Sequence, residues 1–349
     1  MTIDFTTDSI NLSPKEYSEL LFKLTEKGEL KADTYSLHGC VEELENKFAT
    51  LLGKEQAIFM PSGTLANQLA IRSLAKGNSR VIVQNESHVY NDTGDASQVL
   101  SNLNLLPLGT DKTTFTLDEV NEVIKKTASG RVSEKVGVIS IESPMRRKSG
   151  ELFDQEQLKQ ISQFAKSNDI KMHLDGARIF LASAYTGIKP SEYAALFDTV
   201  YVSLYKYFNA ASGAILAGPK ELIAPMFHAR RMFGSGLPQV WPFAAVALNY
   251  ADNFLDRFAK AVKISEELIL KLAANNNFQI DRITNGTNIF KLQVKNIPAI
   301  TFAENLKKNG VVVRPPTTGS NELTLSVNET LNRSTASELE NIFVKSLGN

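Results

Sequence analysis

An α/β fold on a mostly parallel sheet sandwiched by helices, followed by a smaller C-terminal α+β domain, is what this sequence predicts, and three observations predict it. From about residue 56, short apolar runs alternate with longer helical patterns, the order that a parallel sheet with crossover helices requires. The runs are near-continuously apolar, as suits strands covered on both faces. After Pro242 the alternation stops and a long helical pattern takes over.

The elements follow in order. Residues 1–30 are polar and irregular and are expected to pack as an N-terminal segment over the domains. Strand candidates are Ala57 to Met60, Arg80 to Val83, Leu105 to Leu108, Val136 to Ile141, Ile170 to Leu174, Thr199 to Ser203 and Ala214 to Ala217. Between them, Leu117 to Lys126 and Gln155 to Ser167 carry helix formers with apolar residues three and four apart, as crossover helices should. The pattern after Pro242 runs as one helix to about Asn275. Ile289 to Val294, a helix near Phe302 to Lys308 and two further strand patterns complete the chain. Three parts result: the segment 1–30, a large domain over 31–243 and a small one over 244–349.

Composition narrows the function. The 349 residues are 43% hydrophobic and carry 38 basic against 38 acidic side chains with no Lys/Arg block. That is not the footprint of a nucleic-acid binder, so a small molecule is the expected partner. The apolar runs are too short to cross a bilayer. The single cysteine, Cys40, and an opening that lacks secretory-signal character point to the cytoplasm. No metal ligands are assigned.

Three features carry chemistry. The first is Pro61-Ser62-Gly63-Thr64, a turn between a strand and the helical pattern from Leu65 to Leu74. A helix start exposes unpaired N–H groups and a positive dipole, and the hydroxyls of Ser62 and Thr64 add donors, so a phosphate suits it; an ordinary N-cap is the competing reading. The second is His173-Leu174-Asp175-Gly176-Ala177-Arg178, where a strand runs out at the sheet's carboxyl edge, the edge at which ligands of open α/β sheets bind. Asp175 could hold a protonated ring nitrogen, and Ala177 is small enough for a flat ring to lie on. His173 reads as a buried, hydrogen-bonded histidine. The third is Ser203-Leu204-Tyr205-Lys206, again closing a strand. A desolvated Lys206 amine could form a Schiff base, and Ser203 could bind a phosphate oxygen. Singly, each has a plain structural reading; in this order, each at a strand's end, they are the parts that hold pyridoxal phosphate.

With those residues in place the chain resembles the fold-type I, aminotransferase-like pyridoxal-phosphate enzymes, and among them the threonine aldolase and β-eliminating lyase family. The motifs are Tyr35 to Glu45, Leu51 to Glu55, Pro61 to Asn67, Glu86-Ser87-His88, His173 to Phe180, and Lys206 with Gly213 to Gly218. The resemblance implies a seven-stranded sheet. It makes Lys206 the Schiff-base lysine, Asp175 the partner of the pyridinium nitrogen, and Gly63 and Thr64 part of the phosphate cup. His88 becomes the imidazole stacked on the cofactor. Arg178 would bind the substrate carboxylate, and Arg231 aligns with a basic position near the phosphate. A homodimer or homotetramer is also implied, with Tyr35 to Cys40 contributing to a shared site.

Departures from the family pattern bear on the reaction. Glu142-Ser143-Pro144-Met145-Arg146-Arg147 stands where a Thr-His-Asn stretch is usual, so a second catalytic histidine is missing. Tyr207-Phe208-Asn209 replaces a glycine-rich run. Glu322 occupies the place of a carboxylate-binding arginine, for which Arg314 is the expected substitute. The leading expectation is cleavage of a β-hydroxy-α-amino acid to glycine and an aldehyde, with His88 as base. β-Elimination, transamination or racemisation on another small amino acid shares the cofactor, and a non-catalytic binding protein is the rival from another class. Gly234-Ser235-Gly236 lacks the preceding strand and third glycine of a dinucleotide fingerprint.

Overall fold

The computed structural model describes residues 2–348. The N-terminal segment is ordered in two pieces: β1 (Ile3–Asp4) pairs in parallel with a strand near the C-terminus, and α1 (Pro14–Thr25) is a helix with a Ser13/Glu16 capping box. The expected irregular wrap therefore contains a helix. Its signal was Ser13-Pro14 followed three residues on by Glu16, a helix start that the surrounding polarity concealed.

The large sheet follows: α2 (Gly39–Leu52), β2 (Gln56–Met60), α3 (Gly63–Ala75), β3 (Arg80–Gln84), α4 (His88–Asn91), α5 (Ala96–Ser101), β4 (Asn104–Leu108), α6 (Leu117–Ala128), β5 (Val136–Glu142), α7 (Gln155–Ser167), β6 (Lys171–Asp175), α8 (Ile179–Thr186), α9 (Pro190–Ala194), β7 (Thr199–Ser203) and β8 (Ala214–Gly218). All seven expected strands are present. They form one sheet in the order β2-β8-β7-β6-β5-β3-β4, parallel throughout except at β8, which runs against both neighbours. Burial on both faces explains the unbroken apolar runs: β5, β7 and β8 are buried at every position. Because β2, β3, β5, β6 and β7 run the same way, the segments leaving them emerge along one carboxyl edge.

Beyond the sheet come α10 (Lys220–Ile223), α11 (Met226–Met232), α12 (Trp241–Ala251) and α13 (Phe254–Ala273). The single helix expected after Pro242 is two, broken at Asp252-Asn253, where Asn253 takes a left-handed φ of 52°. Asparagine tolerates that conformation better than most residues. The chain ends with β9 (Phe278–Arg282), β10 (Ile289–Val294), α14 (Ala299–Lys308), β11 (Val311–Val312), β12 (Glu322–Ser326) and α15 (Ala336–Lys345). Strands β12-β10-β9 make a smaller antiparallel sheet, and β11 is the partner of β1. Phe5 packs edge-on against Phe290 and Phe343, so the N-terminal segment is sewn into this smaller unit.

Candidate active site

A cavity of about 420 Å³ opens along the carboxyl edge of the sheet, within the range usual for small-molecule sites. At one end lies the β2–α3 turn. Ser62 is the N-cap, extended, its Oγ accepting from the Leu65 N–H at 3.3 Å. The cap reading is therefore correct, and it leaves the phosphate reading standing, because the first N–H groups of α3 still lack intrahelical acceptors. Gly63 and Thr64 line the cavity there. Glycine is required by close approach: a Cβ at Gly63 would stand 1.9 Å from the Tyr201 hydroxyl oxygen.

Asp175 closes β6 on the cavity floor, nearly inaccessible, with Ala177 beside it. A buried chain of hydrogen bonds fixes its carboxylate. The Asn67 amide nitrogen donates to Asp175 Oδ2 at 2.6 Å, and the Ala177 N–H donates to Oδ1 at 3.2 Å. With its amide nitrogen on Asp175, Asn67 turns its oxygen to His173 Nε2, 2.9 Å away, which then carries the proton. His173 Nδ1 is left to accept from the Thr199 hydroxyl at 2.8 Å. Burial pushes this imidazole down to about 4, consistent with a neutral ring. His173 is thus the satisfied buried histidine the sequence suggested, and it orients Asn67, a link the sequence did not disclose.

Lys206 follows β7, lines the same cavity, and lies 5.6 Å from the centre of the Tyr205 ring. Burial, and next the Arg178 charge, lower its amine to about 8. Arg178 in turn donates from Nε to Asp8 Oδ2 at 2.8 Å, and Asn288 holds the other Asp8 oxygen at 2.9 Å. Burial opposes ionisation of Asp8, but Arg178, Asn288 and Lys206 together hold the carboxyl below its usual range. Asp8 ties the N-terminal segment to α8 and to the smaller sheet, at the site itself. Sequence reasoning missed it, because an aspartate in a polar stretch has no local mark of a buried partner.

The opposite wall is built by Glu142, at the end of β5. Its two carboxylate oxygens accept from the backbone N–H groups of His88 (2.7 Å) and Arg146 (2.9 Å). Burial, then the charge of its sheet neighbour Asp175, raise the Glu142 carboxyl above its ordinary value. His88 and Arg146 both line the cavity, and Asp92 joins them: its Oδ2 is 3.4 Å from His88 Nδ1 and 2.6 Å from Arg146 Nη2. Met145, in the place of the missing histidine, is fully buried in the core.

Of the other residues singled out in the sequence, Ser203 is fully buried and outside the cavity lining, and among the described residues its Oγ has no hydrogen-bond partner. Arg231 stacks over the half-exposed ring of Tyr35, 4.7 Å from its centre, and both lie outside the cavity lining. Arg314 is exposed and donates to the Thr6 carbonyl at 2.5 Å. Glu322 pairs with Lys291 at 3.0 Å on the smaller sheet. The cavity itself fits pyridoxal phosphate: a helix N-terminus for the phosphate, a braced carboxylate for the ring nitrogen, a small residue beneath the ring, and a desolvated lysine amine.

Comparison with known proteins places the chain in a pyridoxal-phosphate-dependent family. The β-eliminating lyase family model matches residues 4–295. The low-specificity L-threonine aldolase of Candida albicans is 30% identical over 217 residues, 61% of this chain and 57% of that protein, so this match spans little more than half of the relative. A probable low-specificity L-threonine aldolase of Schizosaccharomyces pombe is 26% identical over 316 residues, 90% of this chain and 81% of that one. Among solved structures, a putative L-allo-threonine aldolase from Listeria monocytogenes superposes with a TM-score of 0.81 at 26% identity, covering 99% of this chain and 95% of the other.

Proposed function

This chain belongs to the β-eliminating lyase family, and on that premise we propose that it is a pyridoxal-phosphate-dependent carbon–carbon lyase that cleaves a β-hydroxy-α-amino acid to glycine and an aldehyde. The observation that carries the proposal is the convergence on one cavity of Lys206, its amine lowered to about 8, with Asp175, braced by Asn67. Bound pyridoxal phosphate supplies an electron sink for the bonds of the substrate's Cα.

The protein's residues supply the rest. A lysine amine near 8 keeps a minor neutral fraction near pH 7, far larger than that of an ordinary lysine near 10.5, and that fraction is the nucleophile. The fixed Asp175 carboxylate keeps a proton on the ring nitrogen, and the α3 N-terminus holds the phosphate. Arg178 engages Asp8 through Nε, and its Nη groups, without a hydrogen-bond partner among the described residues, would receive the substrate carboxylate. His88, with Nδ1 toward Asp92, keeps Nε2 free to take the β-hydroxyl proton.

We read the setting as a cytoplasmic homodimer or homotetramer, divided into domains near residue 243. The half-exposed Tyr35 and Leu37 support an oligomer, offering apolar surface beside Arg231. Cys40 is buried and free, and no helix among the described residues is long and apolar enough to cross a membrane. The test is product analysis. With L-threonine the protein should release glycine and acetaldehyde, and Lys206→Ala should abolish both; keto acid and ammonia from the wild type would replace aldol cleavage with elimination.

A further inference from the structure

We propose that Arg146 is a carboxylate receptor in this cavity, and that the substrate carries a second carboxylate on its side chain, in the class of β-hydroxyaspartate. The proposal rests on the lyase reading above and names the substrate class of that site.

Glu142 pins the backbones of His88 and Arg146 to one wall, so the Arg146 side chain enters the cavity while Met145 turns into the core. Only Nη2 of its guanidinium is engaged, at 2.6 Å from Asp92 Oδ2. That carboxylate is already shared: Arg147 takes Oδ1 through Nη2 at 2.7 Å and reaches Oδ2 through Nε at 3.4 Å. Two guanidinium groups therefore divide one acid. Among the described residues, Nε and Nη1 of Arg146 have no acceptor, and its side chain is 51% exposed. Glu142 holds Arg146 by its backbone N–H, and among the described residues its carboxylate makes no hydrogen bond to the Arg146 guanidinium.

Arg178 likewise lines the cavity, and among the described residues neither of its Nη groups has a hydrogen-bond partner. A guanidinium recognises carboxylate through paired donors. A monocarboxylic amino acid occupies one such group, whereas a dicarboxylic one occupies both. In the cleavage, the β-hydroxyl gives up its proton and becomes a carbonyl, the Cα–Cβ bond breaks, and its electron pair on Cα takes up a proton. β-Hydroxyaspartate thereby yields glycine and glyoxylate, with no other reactant.

Two measurements decide the matter. In the loaded enzyme, the ratio of kcat/KM for β-hydroxyaspartate to that for L-threonine should exceed one in the wild type. It should fall about 10- to 100-fold in Arg146→Met, the loss expected of a hydrogen-bonded charge, and be partly restored in Arg146→Lys. An unchanged ratio, or an equal loss on both substrates, overturns the proposal, the latter by assigning Arg146 to the α-carboxylate. Binding of succinate, which has no amine to react, is measured by calorimetry on wild type and Arg146→Met. Weaker binding in the variant supports the receptor even if neither amino acid is cleaved, in which case the lyase reading alone fails. Absent wild-type binding, or equal binding, overturns it.

Discussion

Replacing Lys206 by methionine should stabilise the cofactor-free protein, and only below a definite pH. A lysine amine ordinarily titrates near 10.5; in the fold, burial and then the Arg178 charge bring it to about 8. Below pH 8 the lysine is charged in both states, and holding that charge in the cavity costs about 3 kcal/mol. Between pH 8 and 10.5 the unfolded chain binds the extra proton, so wild-type stability rises with pH across that window. Above it the penalty is gone. Lys206→Met removes the charge at every pH. At pH 7 it should therefore gain up to about 3 kcal/mol, which for 349 residues is about 4 °C in the thermal midpoint. The gain should shrink toward zero near pH 10.5. Differential scanning calorimetry of both proteins at pH 7, 8.5 and 10 reads this directly. A variant no more stable than wild type at pH 7, or a gain independent of pH, would refute the burial argument that also enlarges the neutral, nucleophilic fraction of Lys206.

Three further outcomes follow from the same geometry. Gly63→Ala places a methyl 1.9 Å from the Tyr201 hydroxyl and 2.3 Å from its Cζ; the overpacking costs about 1–3 kcal/mol, and pyridoxal-phosphate affinity by fluorescence titration should fall at least about tenfold, unchanged affinity being the contrary result. Asn67→Leu leaves Asp175 and His173 without their shared partner, so it should lower stability by about 2–5 kcal/mol and shift the visible absorbance of bound cofactor; equal stability would mean the bracing is incidental. Asp8→Ala breaks a buried ion pair and should cost about 3–5 kcal/mol. Because the folded Asp8 carboxyl titrates below its ordinary value, that difference should be full above about pH 4 and shrink as pH falls through the folded value, as acid-unfolding curves will show.

The parts of the site that close β-strands were legible because each ends a near-continuous apolar run: Asp175 and Lys206 stand where such a run gives way to charge, and Gly63 and Thr64 stand where one meets a helical pattern. Partnerships across the chain were not legible. Asn67 lies 108 residues from Asp175, and Asp8 lies 170 from Arg178; neither has a local signal that distinguishes it from a surface polar residue. The fold shows the same division. Burial on both faces made the large sheet readable, whereas β9, with three exposed positions among its five residues, resembled a loop. The break between α12 and α13 rests on one left-handed asparagine, and an Asp-Asn pair within a helical pattern was its only trace.

If Lys206 holds the cofactor, loading the protein with pyridoxal phosphate, reducing it with borohydride, digesting it and mapping the modified residue by mass spectrometry will locate the adduct there. One phosphopyridoxyl adduct is expected, on the peptide containing Lys206, and it should be lost in Lys206→Ala together with the visible absorbance. An adduct on another lysine, or none, would contradict it.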